Sequence, residues 1–192
     1  MKTITSFFLK GKTILVLFLL TNTIYLYMVL HTIPTLTQYT GDKGIPDMKP
    51  TGYDLTYLQD IFSLLGEAGS DYYLNVQLQI DLFYPIFFAI TYGLMIHYLA
   101  KKLSFSKYIL GSLAFWPVLA GAFDLMENFM LNGFLGKSIE LTSLNANICS
   151  FFSQAKSLCT TLSFCILLVL TCWLAYRSIK RAYSQKTIDV KS

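Results

Sequence analysis

Two acidic side chains and an amide lie close together in the apolar stretch FDLMENFM (123–130). Asp124 is followed three and four residues later by Glu127 and Asn128, so all three project from neighbouring parts of one helix surface. An ionisable residue in a membrane-spanning helix is costly, and it usually marks a functional site or an ion pair. FDLMENFM therefore predicts a polar site in an apolar setting.

Two further ionisable residues, Asp81 and Lys156, lie in other apolar stretches at a similar predicted depth. Counted from the basic residues that end each stretch, both lie about 30 Å along their helices, at about 1.5 Å per residue. By the same count Glu127 lies at about 30 Å and Asp124 at about 25 Å. The hydrocarbon core of a membrane is about 30 Å thick. The predicted ligand-binding cluster near one membrane boundary is Asp81, Asp124, Glu127, Asn128 and Lys156.

Lys156 is the cation of this predicted cluster, and its expected partner is Asp124, with Asp81 or Glu127 as the alternative. Because one lysine cannot neutralise three carboxylates, the excess must be solvated, protonated or matched by a cation or substrate. Glu127 stands about 60° from Asp124 around the helix, and Asp81 lies at a helix edge, so both are expected to be solvated. In a catalytic site, Asp124 or Asp81 would act as acid or base, and Lys156 would tune its pKa or stabilise an anion.

Four apolar stretches are long enough to position these residues in membrane-spanning helices, which need about 20 residues each. They cover about 13–31, 82–100, 108–131 and 148–176. Charged residues make up only 14% of the chain, against about 25% in soluble domains. The predicted fold class is an all-α integral membrane protein, a single domain built as a four-transmembrane-helix bundle.

The basic residues predict how the chain is oriented. They form three clusters, before the first stretch, between the second and third, and after the fourth, whereas most acids fall in the two other connections. Basic residues favour the cytoplasmic side, which predicts that both termini are cytoplasmic. The three clusters are Lys2, Lys10 and Lys12; Lys101, Lys102 and Lys107; and Arg177, Lys180, Arg181 and Lys186.

The first external connection, about 32–81, is predicted to contain a short amphipathic helix. GDKGIPDMKPTG (41–52) is rich in glycine and proline and should be irregular. After it, five apolar residues recur at helical spacing and share one face. Such a helix is expected on the outer membrane surface or over the mouth of the bundle, where it could also meet a protein partner. The five residues are Leu55, Leu58, Ile61, Phe62 and Leu65.

This layout of four spans, cytoplasmic termini and acids near a bundle mouth resembles that of sterol-isomerase-like and sigma-2-receptor-like membrane proteins. The segment FYPIFFAITYGL (83–94) is similar to their second helix. The resemblance covers these twelve residues and carries no catalytic motif. It implies an analogy of fold and not an activity.

Several classes of site are excluded or disfavoured. The sequence has no phosphate loop, dinucleotide fingerprint, zinc-protease motif, nucleophile elbow or haem-attachment motif, and its four cysteines form no CxxC pair. No cofactor and no metal site are therefore predicted. The basic residues form short flanks, so no nucleic-acid partner is predicted either.

Two functions remain open from the sequence, and it does not decide whether the protein is an enzyme. The first is a site for a lipid-like or amphipathic small molecule, with its head at the polar cluster and its tail among Phe88, Tyr92 and Trp116. The alternative is a structural or accessory subunit in which the charges only pair helices. Ion translocation has less support, because Asn22, Thr91 and Tyr92 are the obvious polar residues in the other half of the bundle.

Overall fold

The computed structural model describes residues 11–189, which form four long helices. These are α1 (Gly11–Thr40), α2 (Leu55–Lys102), α3 (Lys107–Leu135) and α4 (Ser143–Asp189). Of the described residues, 89% are helical and none lies in a strand. All four helices are long and apolar enough to cross a membrane. Lys2 and Lys10 of the first basic cluster lie outside the described residues.

The connections define two ends of the bundle. The α1–α2 and α3–α4 connections lie at one end, called here the loop end. The α2–α3 connection lies at the other, called the turn end. The loop 41–54 is irregular apart from two 3₁₀ turns, at Gly41–Lys43 and Pro46–Met48. It ends at Asp54, whose carboxylate accepts a hydrogen bond from the Tyr57 N–H at 2.8 Å, the N-cap that starts α2.

All four helices run further than the predicted spans: α1 continues to Thr40, α2 begins at Leu55 and α3 continues to Leu135, while α4 starts at Ser143. Two wide π turns interrupt the α-helical geometry, at Met28–Thr32 in α1 and Tyr73–Gln77 in α2. The Thr32 hydroxyl donates a hydrogen bond to the Gln77 side-chain oxygen, so the two turns pack side by side.

The residues 55–65, predicted as a short amphipathic helix, are helical as the first part of the longer helix α2 and are called here the α2 arm. A break at Gly66, with φ of 59°, separates it from the rest of α2, and glycine suits this left-handed conformation. Leu58, Ile61 and Leu65 of the arm are fully buried, as the helical spacing predicts. Its position relative to a membrane stays a prediction.

The bundle has two apolar cores, one towards each end. The loop-end core joins the α2 arm to α1, the loop and the ends of α3 and α4, through residues such as Leu36, Ile45 and Leu131. The second core holds α2, α3 and α4 together around Phe88 and Ile96. Large apolar side chains remain exposed on the outer surface of all four helices, including Leu19, Phe83, Phe115 and Val169.

Helices α2 and α3 approach each other most closely where a glycine faces a proline. A Cβ atom added at Gly121 would lie 2.6 Å from the Pro85 carbonyl oxygen. No side chain larger than hydrogen fits this spacing, as expected where small residues bring helices together. This contact lies one helical turn from Asp81 and Asp124, and it sets the spacing of α2 and α3 near the two acidic residues.

Candidate functional site

Lys156 lies at the centre of a buried charge cluster. Its ammonium nitrogen is 2.6 Å from a Glu127 carboxylate oxygen, 2.9 Å from Asp124 Oδ1 and 3.9 Å from Asp47 Oδ1. The predicted pair of Lys156 with Asp124 is therefore present in the structure, and Glu127 pairs with Lys156 as well. Only 13% of the Lys156 side chain is exposed, so these contacts act in an environment of low dielectric constant.

Asp47 is a member of the cluster that the sequence did not predict. It belongs to the 3₁₀ turn Pro46–Met48, and it also accepts a hydrogen bond from the Tyr73 hydroxyl. Burial raises the pKa of Asp47, and Lys156 and the Tyr73 hydroxyl oppose that rise. The irregular loop has no periodicity that could have placed this carboxylate. The excess of acids around one lysine was no signal for it either, because that excess favours a further cation and Asp47 is another acid.

The loop reaches the cluster because α4 holds its backbone. The Tyr53 N–H donates to Ser150 Oγ at 2.8 Å, and Ser153 Oγ donates to the Lys49 carbonyl at 3.3 Å. Gly52 has φ of 86°, and a Cβ there would lie 2.6 Å from Ser150 Oγ. Ser153 lies within about 60° of Lys156 around α4, and Ser150 is one turn from Ser153, so neighbouring residues of α4 anchor both the loop and the charges.

Glu127 is buried, which overturns the expectation that water solvates it. Its side chain is 0% exposed, and the Tyr53 hydroxyl donates to Glu127 Oε1 at 2.8 Å. Burial and the Glu127 carboxylate raise the pKa of Tyr53, which keeps that hydroxyl protonated as a donor. The same hydroxyl lies 3.1 Å from the Cys149 sulfur. The loop thus covers the side of α3 that was predicted to face water.

Asn128 compensates for a proline in the neighbouring helix. Pro85 has no N–H, so the Asp81 carbonyl, four residues earlier, lacks its helical donor. Asn128 Nδ2 donates to that carbonyl at 2.9 Å, within the bundle at a position that is 2% exposed. Asn128 therefore joins α3 to α2 at the level of the charges, and its predicted role in binding a ligand stays a prediction.

This compensation predicts that Asn128 and Pro85 are energetically coupled. We expect Asn128→Leu to destabilise the protein by about 1–3 kcal/mol, because it leaves a buried carbonyl without a donor. In a Pro85→Ala background the backbone N–H restored at position 85 supplies the donor, so the cost of Asn128→Leu should fall by about 1 kcal/mol. Denaturant unfolding of the wild type, both single variants and the double variant measures this coupling. Costs that simply add would contradict the assignment.

The Asp81 carboxylate is the member of the cluster without a protein partner. The residue is only 3% exposed, so its carboxylate has far less contact with water than a residue at a helix edge was expected to have. Among residues 11–189, no side chain or backbone N–H forms a hydrogen bond or ion pair with this carboxylate. It lies close enough to Asp124 and Lys156 for electrostatic interaction. Buried charges are normally paired, so an unpartnered carboxylate here requires a separate explanation.

The site therefore holds four carboxylates around one ammonium group. Asp124 and Lys156 are its partly exposed edge, at 14% and 13%, whereas the other three acids are buried. In the described part of the chain, no group of three His, Cys, Asp or Glu side chains is arranged to hold a metal ion. The arrangement can bind a positively charged or hydrogen-bond-donating group, or exchange a proton, next to Asp81.

The aromatic residues predicted to surround a ligand tail are largely packed against one another. The Phe88 and Tyr92 rings are 4.6 Å apart, and Phe164 lies 5.2 Å from Tyr92. Both Phe88 and Tyr92 are buried, so protein atoms already fill the space between them. A second aromatic group lies beside the exposed edge of the cluster, where Phe123 stacks on Phe152 with ring centres 6.3 Å apart.

Comparison of the chain with protein-family models, with curated proteins and with solved structures finds no match.

Proposed function

We propose that this is a multi-pass membrane protein, with the loop end outside and both termini in the cytoplasm. Four long apolar helices support membrane insertion, as do the large apolar side chains on their outer faces. The described basic clusters lie at the turn end, where Lys101 and Lys102 end α2 and Lys107 begins α3. This asymmetry favours the cytoplasmic side for the turn end.

We further propose that the charge cluster binds the head of a lipid-like or amphipathic small molecule. The observation that carries this proposal is that Asp81, a residue only 3% exposed, has a carboxylate with no hydrogen-bond or ion-pair partner among the described residues. Because four carboxylates surround one ammonium group, a head with positive charge or several N–H donors complements the site best. Burying an ion without compensation is costly, so such a head would be stabilised there.

Each residue then has a distinct role in the proposed site. Asp81 receives the head directly, and Asp124 lies at the edge through which it enters. Lys156 holds Asp124 and Glu127 in place, so that these two acids do not compete with Asp81 for the ligand head. The Asn128 side-chain oxygen, buried without a hydrogen bond, provides a second acceptor.

The tail of the ligand is placed against Phe123 and neighbouring rings on the outer surface, because Phe88 and Tyr92 leave no space between them.

Native mass spectrometry of the detergent-purified protein tests this proposal. We expect a small molecule to co-purify with the wild type, to be lost in Asp81→Asn, and to be reduced in Asp124→Asn. Asp81→Asn is the sharper variant, because that carboxylate makes no protein contact that the change could break. Asp60→Asn, which alters an exposed acid of the α2 arm, is the matched control. An unliganded mass for the wild type, or equal occupancy in Asp81→Asn, would reject the proposal.

A structural or accessory role is the second candidate, and one observation favours it. Lys156 contacts Asp47 in the loop and also contacts two acids of α3, so a single cation joins three parts of the chain. In this reading the cluster fixes the helices, and the loop end is the surface available to a protein partner. It predicts that Asp81→Asn changes neither bound mass nor stability, which separates it from the first proposal.

A further inference from the structure

A cleft at the turn end lies between the α2–α3 connection and the last turns of α4. Its volume is about 810 Å³. Leu103 and Phe105 form one side, and α4 forms the other with Trp173 and Arg177 among its lining residues. The cleft is far from the charge cluster, which lies at the loop end, and none of its residues takes part in the proposed function.

Three cations of α4 line this cleft. Arg177, Lys180 and Arg181 are spaced three and four residues apart, so they share one helix face. Arg177 Nη1 donates to the Leu103 carbonyl at 3.3 Å, which holds the guanidinium across the cleft towards α2. The segments 1–41, 82–123 and 141–188 contain no acidic residue. No side chain within these three segments can therefore neutralise the positive charge of the cleft.

Two exposed aromatic rings lie next to these cations. Trp173 is 56% exposed and Tyr176 is 65% exposed, and both line the cleft. Amphipathic rings of this kind concentrate at the level of lipid headgroups. The cleft thus combines cations that attract an anion with rings and a leucine that suit the upper part of an acyl chain. Basic pockets between membrane helices on the cytoplasmic side are known to bind anionic headgroups.

We propose that this cleft binds the headgroup of an anionic phospholipid. The phosphate lies between Arg177 and Arg181, whose planar guanidinium groups suit paired hydrogen bonds to phosphate oxygens. Lys180 adds a third cation, and the acyl chains follow Trp173 and Phe105 into the apolar region. The site is separate from the proposed head-binding cluster, so either can fail without the other.

Tryptophan quenching by brominated lipids tests the site directly. In a Trp116→Phe background, Trp173 is the only tryptophan and reports lipid occupancy of the cleft. The protein is reconstituted in phosphatidylcholine vesicles that contain phosphatidylserine, with bromine on the acyl chains of one lipid or the other. We expect brominated phosphatidylserine to quench more strongly than brominated phosphatidylcholine at the same mole fraction. Each cation removed should lower the relative affinity about five-fold.

The matched control removes equal charge at the same end without touching the cleft. Arg177→Gln/Lys180→Gln/Arg181→Gln should abolish the preference for phosphatidylserine, whereas Lys12→Gln/Lys101→Gln/Lys107→Gln should retain most of it. Quenching by brominated phosphatidylcholine checks that each variant is inserted and folded. No preference in the starting protein, or equal losses in the two triple variants, would overturn the proposal. Loss of the preference on adding inorganic phosphate would assign the cleft to free anions instead.

Discussion

Replacement of Lys156 by methionine should lower the free energy of unfolding by about 3–5 kcal/mol, the usual cost of removing one partner from a buried ion pair. Methionine has a similar length but no charge, so it leaves Asp124 and Glu127 without the cation that lies 2.9 and 2.6 Å from them. Denaturant unfolding in detergent measures the loss. Adding Glu127→Gln should recover part of it, because one uncompensated carboxylate is then neutral.

Lys43→Met is the matched control for this experiment. Lys43 pairs with Asp60 at 2.8 Å, but both side chains are 52% exposed. Exposed ion pairs contribute less than about 1 kcal/mol, so this variant should unfold nearly as the wild type does. If Lys156→Met cost no more than Lys43→Met, the buried cluster would not be a determinant of stability.

Gly121→Val should destabilise the protein by about 3 kcal/mol, at the upper end of the usual range for overpacking a core. The first added carbon would already lie 2.6 Å from the Pro85 carbonyl oxygen. The obstacle is backbone, which cannot rotate away as a side chain could. Helices α2 and α3 would have to separate, and the Asn128 hydrogen bond to the Asp81 carbonyl would lengthen. Thermal unfolding in detergent reports the effect.

Gly111→Val in the same helix provides the comparison for Gly121. A Cβ at Gly111 meets no atom within 4 Å, so valine adds no clash there, and it has a slightly higher helix propensity than glycine. We expect a change of less than about 0.5 kcal/mol for this exposed position. Similar destabilisation by the two substitutions would show that the contact with Pro85 is not the cause of the loss at Gly121.

Depth counting predicted the polar cluster well because helices have a fixed rise per residue. It placed Asp124 and Lys156 at neighbouring levels, and the structure pairs them at 2.9 Å. Helical periodicity likewise identified the buried face of the α2 arm, since a regular repeat needs no knowledge of distant residues. Both successes depend on local geometry.

The errors in the predicted site arise from tertiary contacts that local geometry does not contain. Glu127 stands to one side of Asp124 on α3, and whether that side is buried depends on which part of the chain covers it. The loop 41–54 folds back over this face, brings Asp47 beside Lys156, and lets Tyr53 donate to Glu127. The positions of the glycines and prolines in that loop do not specify its path. Hydrogen bonds between the loop backbone and serine side chains of α4 fix that path.

The π turn of α1 keeps two buried side chains on one face of the helix. Met28 and Leu36, both buried, are eight residues apart, and a uniform α-helix would point them about 80° away from each other. The extra residue of a wide turn takes up one step of about 100°, which brings the two side chains within about 20° of a common direction. Deleting one residue in this turn would rotate the end of α1 out of phase with the loop-end core while leaving its composition almost unchanged. Burial of the end of α1 therefore depends on the exact number of residues in this turn as much as on their hydrophobicity.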